Sequence, residues 1–364
     1  MNHKRISVLF VSIAAAFVAM TLLFSSQHAL QASPNAAPAA SPFVTEYPLP
    51  NTGAPRYLIR TGSSSFWFTA PGVNAIGHLI VTDTLTYGYT FYTIPTANSD
   101  PYQLASDGSN IWFTQRAGNK IGKLVMATGV FTEYPIPTGD SAPTGITIAP
   151  DGLVWFVQRT GNKVAKLDPD TGQITEYAYT RPNANLEDIA AAPNGTMVWF
   201  TAPAVQKLAS FTISSETFDD TSTSDPVAGI FTPNQTAVNT DNVAWVSTTN
   251  GLIGFDFGTT ISLFRWYTAA PASANLSDLL LVNSGSTTTA WFSDSASGYV
   301  GRVTTNSNGS IASSWRFPLL NRTPQGIQVD ANQVIWLADS QNHMIIRWEP
   351  PYFFVAYLPS ISIP

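Results

Sequence analysis

The sequence predicts an all-β fold: a seven-bladed β-propeller of four-stranded blades, with the ring closed by its own N-terminal strand. Three observations carry that expectation. Tryptophans recur at Trp67, Trp112, Trp155, Trp199, Trp245, Trp291 and Trp336, with gaps of 45, 43, 44, 46, 46 and 45 residues. Each sits in a short apolar run of strand formers, from Phe66-Trp67-Phe68-Thr69 and Val154-Trp155-Phe156-Val157 to the weaker Ala244-Trp245-Val246-Ser247. A fixed period in the forties with no helical pattern is how a four-stranded blade repeats. The composition agrees: 11% charged, 12% aromatic, with 24 Gly and 26 Pro among 364 residues, which suits many short strands joined by turns.

The third repeat reads as one complete blade. Gly145 to Ala149 is its innermost strand, ended by Pro150-Asp151-Gly152, and Leu153 to Val157 carries the Trp. Arg159-Thr160-Gly161-Asn162 turns into Lys163 to Leu167, and Asp168-Pro169-Asp170-Thr171-Gly172 turns into Gln173 to Tyr177. The Asp-Gly, Gly-Asn and Thr-Gly pairs supply the positive-φ positions of tight hairpins. Asp168 and Asp170 lack calcium-loop spacing and read as a turn. The repeated Trp is expected to fill the wedge between neighbouring blades rather than to bind anything.

The outermost strand recurs as Glu133-Tyr134-Pro135-Ile136-Pro137 and as Glu176-Tyr177. It appears once more before any Trp, at Phe43 to Pro50, while the last repeat lacks it and runs from Arg347-Trp348 into Glu349-Pro350-Pro351. Phe43 to Pro50 is therefore expected to complete the last blade, because an open ring would leave two long unpaired edges. Pro48 and Pro50 suit an outer edge, where one side needs no ladder donor.

Both ends lie outside the repeat. His3-Lys4-Arg5, the uncharged run Ile6 to Phe24 and Leu30-Gln31-Ala32 read as an export signal over residues 1–32, and the same run could alternatively anchor the chain in a membrane. Residues 33–42 read as a Pro/Ala linker, residues 43–349 as the propeller and residues 350–364 as an apolar tail. The expected product is a secreted or extracytoplasmic monomer. It has no Cys and so no disulfides, and a core of this size does not require them. The formal charge of −6 excludes a basic stripe, and with it a nucleic-acid partner.

The string Pro143-Thr144-Gly145-Ile146, Pro150-Asp151-Gly152, Trp155-Phe156, Gly161-Asn162-Lys163, with Glu133-Tyr134-Pro135-Ile136-Pro137 before it, resembles the virginiamycin B lyase (streptogramin lyase) family. The likeness is strong over residues 43–180 and weaker to residue 348. It implies a seven-bladed propeller. Active members linearise a cyclic depsipeptide antibiotic by elimination across an ester, with a magnesium ion, two histidines and a glutamate. Those residues belong to the Pro-x-Gly-Ile segment, which in such a fold places one side chain per blade around a mouth of the central channel.

In this chain that ring reads Arg56, Tyr102, Thr144, Glu187, Ala228, Ser277 and Gln325, without a histidine. Asp100-Pro101-Tyr102 keeps the acid and proline of a family segment but has tyrosine where the imidazole belongs, and an ordinary tyrosine is a poor base at neutral pH. Only His78 and His343 follow the signal region. His78 falls where other repeats have Lys or Arg and reads as a solvated outer face. His343 falls in the second turn, where Asn74, Asn119 and Asn162 sit, on the ring's side of the disc.

Arg56, Asp100, Tyr102, Glu187, Gln325 and His343 are therefore the candidate ligand-binding residues, for a small polar ligand or a protein partner at the channel mouth. Three functions remain open: a silent binding scaffold, a divergent lyase or lactonase-like enzyme, and a cell-surface interaction module. No resident metal is expected, magnesium entering only if lyase-like activity survives. No Gly-x-Ser-x-Gly motif, two-His zinc spacing or phosphate loop supports another enzyme class.

Overall fold

A computed structural model describes residues 44–223, 232–249, 251–256, 262–266, 275–306, 311–319, 321–330 and 332–349. The expected export signal, linker and C-terminal tail lie outside the described residues, as do Phe43 and Ala228. Among the described residues the strands form seven four-stranded antiparallel sheets, the blades of a β-propeller. The third blade runs Pro143–Ile148, Val154–Gln158, Lys163–Leu167 and Ile174–Ala178, within two residues of the strands its sequence suggests.

The turns differ in detail from the two-residue hairpins expected. Gln158 pairs with Lys163 and Leu167 with Ile174, so longer loops connect these strands. In the Gly161-Asn162 turn the left-handed residue is Asn162 (φ 53), not the glycine. Asn tolerates that conformation because its short side chain bonds locally. Asp168 folds its own turn, its Oδ1 accepting from the Asp170 and Thr171 N–H groups at 2.9 and 3.3 Å. Those bonds hold its pKa below the usual carboxylate value.

The seven Trp are the mortar. Trp67 packs with Ile111 and Phe113 of the next blade, Trp112 with Val154 and Phe156, and Trp155 with Val198 and Phe200. The series continues through Trp199, Trp245 and Trp291 and returns on itself, Trp336 packing against Phe66 and Phe68 of the first blade. The Lys, Arg and His residues expected to be a solvated outer face instead cover these rings. Lys123 lies 5.3 Å from the Trp112 centroid, Arg302 5.5 Å from Trp291, and His78 stacks on Trp67 at 3.9 Å. Their stems extend the apolar wedge while their heads stay polar.

Closure occurs as the orphan outer strand implied. Val44–Pro48 pairs antiparallel with Met344–Trp348, with Tyr47 opposite Ile345. Tyr47 is fully buried and stacks on Trp336 at 5.7 Å. Its carbonyl accepts the Tyr89 hydroxyl of the first blade at 2.6 Å, so the N-terminal strand ties the seventh blade to the first.

Candidate functional site

The Trp ladder fixes which innermost-strand residues are equivalent. Opposite Trp67, Trp112, Trp155, Trp199, Trp245, Trp291 and Trp336 stand Ile59, Ala105, Thr147, Ala190, Ala237, Leu280 and Gln328. Three residues earlier in each blade lie Arg56, Tyr102, Thr144, Glu187, Asn234, Ser277 and Gln325. Six of these are the ring read from the sequence, and the fifth blade is corrected from Ala228 to Asn234. Pro226-Val227-Ala228-Gly229 imitates the motif, but the strand is Pro233–Val238. Its register shift between Pro233 and Thr236 matches the shift between Pro143 and Ile146. Counting eleven residues back from Trp245, as Thr144 lies from Trp155, would have found it.

Six ring members, all but Thr144, line a cavity of about 410 Å³. Thr144 is withdrawn: its hydroxyl donates to the Leu186 carbonyl at 3.0 Å and it is fully buried. A second ring, four residues after each Trp, joins the first. Arg116, Arg159, Pro203, Thr249 and Ser295 all line the same cavity. A repeated bond sets four of them there. The Arg116, Arg159, Thr249 and Ser295 N–H groups donate to the Asp100, Ala142, Thr232 and Asn275 carbonyls at 3.0 to 3.1 Å, each acceptor two residues before a ring position. Sequence reasoning missed Arg116 and Arg159 because it took that segment only as a turn.

The charged groups form one chain from blade 1 to blade 4. Asp100 sits behind the lining residues, accepting from Arg56 Nη1 at 3.2 Å and from Arg116 Nε at 2.7 Å. Both guanidinium groups rest on the Tyr102 ring, 5.1 and 4.6 Å from its centroid. The Tyr102 hydroxyl donates to Glu187 Oε1, while Arg159 Nη1 donates to Glu187 Oε2 at 2.5 Å. Burial, then the Glu187 charge, push the Tyr102 pKa well above the usual phenol value. Tyr102 is therefore a donor here and not a base.

His343 occupies the same face but does not line the cavity. It is left-handed (φ 51), as are Asn74, Asn119 and Asn162 at the equivalent turn position. Its Nδ1 accepts the Ala54 N–H at 3.2 Å, while its carbonyl accepts from Leu49 at 2.8 Å. In the other blades the Asn side chain does this work, Asn119 Oδ1 accepting from the Ser141 N–H at 2.9 Å. His78 is half-buried against Trp67, its Nε2 bonded to the Ser65 hydroxyl at 2.9 Å, and burial lowers its pKa.

Beneath the mouth, the next residue of each innermost strand forms a floor. These residues are Tyr57, Gln103, Gly145, Asp188, Gln235, Asp278 and Gly326. Gln103 Nε2 donates to Asp188 Oδ1 at 2.7 Å, and Gln235 Nε2 donates to the Tyr57 hydroxyl across the channel at 3.1 Å. Gln103 Oε1, Asp188 Oδ2 and Asp278 Oδ2 accept the Ile146, Thr236 and Ile327 N–H groups of the following blades at 2.6, 2.7 and 2.8 Å. These bonds clasp blades 2 to 3, 4 to 5 and 6 to 7. Burial outweighs them in charge terms, pushing the Asp188 and Asp278 pKa values up to about 7. Gly145 explains the glycine of the motif: a Cβ there would lie 2.6 Å from the Asp188 Cα.

The family model described as the virginiamycin B lyase family matches residues 40–255. The chain belongs to the virginiamycin B lyase family. Among solved structures, virginiamycin B lyase from Staphylococcus aureus superposes with a TM-score of 0.70 at 23% identity, over 84% of this chain and 98% of that one. A structure described as streptogramin B lyase gives 0.71 and 24%, over 84% and 97%. A catalytically inactive histidine-to-alanine variant of the Staphylococcus aureus enzyme, solved with quinupristin, gives 0.70 and 24%, over 84% and 98%. A search of curated proteins found no match.

This member of the virginiamycin B lyase family commits the carboxylates of its mouth to guanidinium groups and a phenol. Among the described residues no group of three or more His, Cys, Asp or Glu side chains is placed to hold a metal ion. Magnesium takes its protein ligands from carboxylates it can approach. Here both Glu187 oxygens are committed to Tyr102 and Arg159, and both Asp100 oxygens to Arg56 and Arg116. The donor set at this mouth does not suit the ion.

Proposed function

We propose that this protein is an exported, catalytically silent member of its family that binds a small polar ligand in the channel mouth. The observation that carries the reading is the composition of the mouth. The inner ring is Arg56, Tyr102, Thr144, Glu187, Asn234, Ser277 and Gln325, without an imidazole, and its carboxylate is tied to an arginine and a phenol. Elimination across an ester needs a positioned base to remove a carbon-bound proton, and none of these groups is free to take one. A cavity of about 410 Å³ lined by convergent polar groups still has the dimensions of a small-molecule site. Export is supported by Lys4-Arg5 and the uncharged run Ile6 to Phe24.

The test is a magnesium-supplemented ester-opening assay on a streptogramin B substrate. Losing a general base typically lowers rates by ~10²–10⁴, so only trace turnover is expected. Turnover at an ordinary enzymatic rate, abolished by Glu187→Gln, would overturn the silent reading and favour a divergent lyase. Export is checked separately by fractionation and by sequencing the mature N-terminus, expected near Ser33.

A further inference from the structure

The two halves of the mouth are chemically unlike. Among the described residues, blades 1 to 4 bring all of its charged lining groups, Arg56, Arg116, Arg159 and Glu187, with Asp100 behind them. The lining residues described in blades 5 to 7 are uncharged, chief among them Asn234, Ser277 and Gln325. On this wall of the mouth three guanidinium groups face two carboxylates, which leaves one positive charge there in a chain whose formal net charge is −6. In the floor beneath, burial pushes the Asp188 and Asp278 pKa values up to about 7, so below pH 7 these carboxyls are largely neutral and leave that charge standing.

The arginines also keep donors in reserve. Arg116 meets Asp100 through Nε and Nη2, and Arg159 meets Glu187 through Nη1. Arg116 Nη1 and Arg159 Nη2 have no acceptor among the described residues, and the two side chains remain 32% and 38% exposed. Both are held firmly at the rim: Arg116 lies on Tyr102, and each backbone N–H is bonded to the strand before it. A guanidinium fixed by one carboxylate presents its remaining edge as a planar fork, and a second carboxylate is the group that matches such a fork.

We propose that the ligand is a small organic monocarboxylate. Arg116 and Arg159 hold its carboxylate, and its neutral hydroxyl- or amide-bearing body lies toward Asn234, Ser277 and Gln325. This rests on the ligand-binding reading above and narrows it. The one positive charge left on the arginine wall matches a monoanion, whereas a dianionic phosphate would leave an excess negative charge beside Glu187. Asp100 acts as a positioning residue, sharing Arg56 and Arg116 between itself and the ligand.

The experiment is calorimetric titration of the purified protein in low-salt buffer with three matched pairs: gluconate and gluconamide, N-acetylglycinate and N-acetylglycinamide, lactate and lactamide. At least one acid should bind about tenfold or more tightly than its amide. Arg116→Gln and Arg159→Gln should each weaken that acid about tenfold or more, the scale of a charge-assisted hydrogen bond, and leave the amide unchanged. Arg159→Lys, which keeps the charge and the Glu187 pair but loses the fork, should fall between. Asp100→Asn should tighten the acid by releasing guanidinium donors, an effect a merely structural role for Asp100 would not produce. Amides binding as well as acids would overturn this inference and leave the ligand-binding reading standing. No binding by acids or amides would overturn both. Should a glutamine variant fail to fold, the paired titrations of the unaltered protein and Arg159→Lys still decide.

Discussion

Replacing Tyr47 tests whether the N-terminal strand holds the ring shut. Its ring is fully buried, stacked on Trp336 at 5.7 Å and edge-on to Tyr87 at 4.9 Å, inside the cluster shared by blades 7 and 1. Truncating a buried aromatic to alanine costs about 3–5 kcal/mol, the lost transfer term plus the cavity left behind. With a urea slope near 3 kcal/mol/M, reasonable for a chain of this size, Tyr47→Ala should lower the unfolding midpoint by about 1 M. Tyr47→Phe should do the opposite of what conservative intuition suggests. The Tyr47 hydroxyl is buried without a hydrogen-bond partner among the described residues, so its removal should be neutral or stabilising. Glu46→Ala is the control, because Glu46 meets Arg322 in an exposed ion pair worth about 0–1 kcal/mol. Equilibrium urea unfolding followed by Trp fluorescence reads all three. A Tyr47→Ala midpoint indistinguishable from that of Glu46→Ala would show that the strand contributes nothing to closure.

The remaining predictions address the floor and the turns. Asp188 and Asp278, with pKa values near 7 in the folded state against an ordinary 3.8, bind their protons more tightly folded than unfolded. Their contribution is therefore full below about pH 4 and lost as pH rises through 7. Unfolding free energy should fall between pH 5 and pH 8 by on the order of 2 kcal/mol per carboxyl. The depressed His78 acts in the opposite sense below its ordinary 6.5, so the share of one carboxyl is isolated by comparing the slope with that of Asp188→Asn, which should be shallower. His343→Asn should leave stability within about 1 kcal/mol, since Asn makes the equivalent bond in other blades, whereas His343→Ala strands the Ala54 N–H at a cost of about 1–3 kcal/mol in the same unfolding assay. Gly145→Ala should destabilise by about 1–3 kcal/mol, because its Cβ would meet the Asp188 backbone rather than a side chain able to move. A Gly145→Ala protein that melts like the wild type would show that blades 3 and 4 are not in close register there.

What was legible in the sequence is what packing repeats. The wedge between blades accepts one large flat ring per repeat, so Trp67 through Trp336 announced the fold, and the orphan Glu-Tyr-Pro strand announced its closure. The ring was legible wherever its strand kept a recognisable start. It failed in the fifth blade, where Pro226 imitates Pro143 while the strand begins at Pro233. Arg116 and Arg159 were hidden for a different reason. Their placement follows from a backbone bond to the preceding strand, and a backbone bond leaves no preference for side-chain type at that position. Thr249 and Ser295 make the same bond.

That freedom bears on how the fold could part from its chemistry. The positions that hold the disc together are constrained on every side: the Trp by two blades, Gly145 by the Asp188 backbone, and Asp188 by donors from Gln103 and Thr236. The mouth positions point into a cavity, and most of them touch solvent or one another. A side chain there needs a partner more than a particular shape, and for the Tyr102 phenol Glu187 supplies one. Glu187 then needs its own counter-charge, which Arg159 provides, while Asp100 meets Arg56 and Arg116. Each charge of the mouth is thus answered within the mouth itself, without drawing on the floor beneath it.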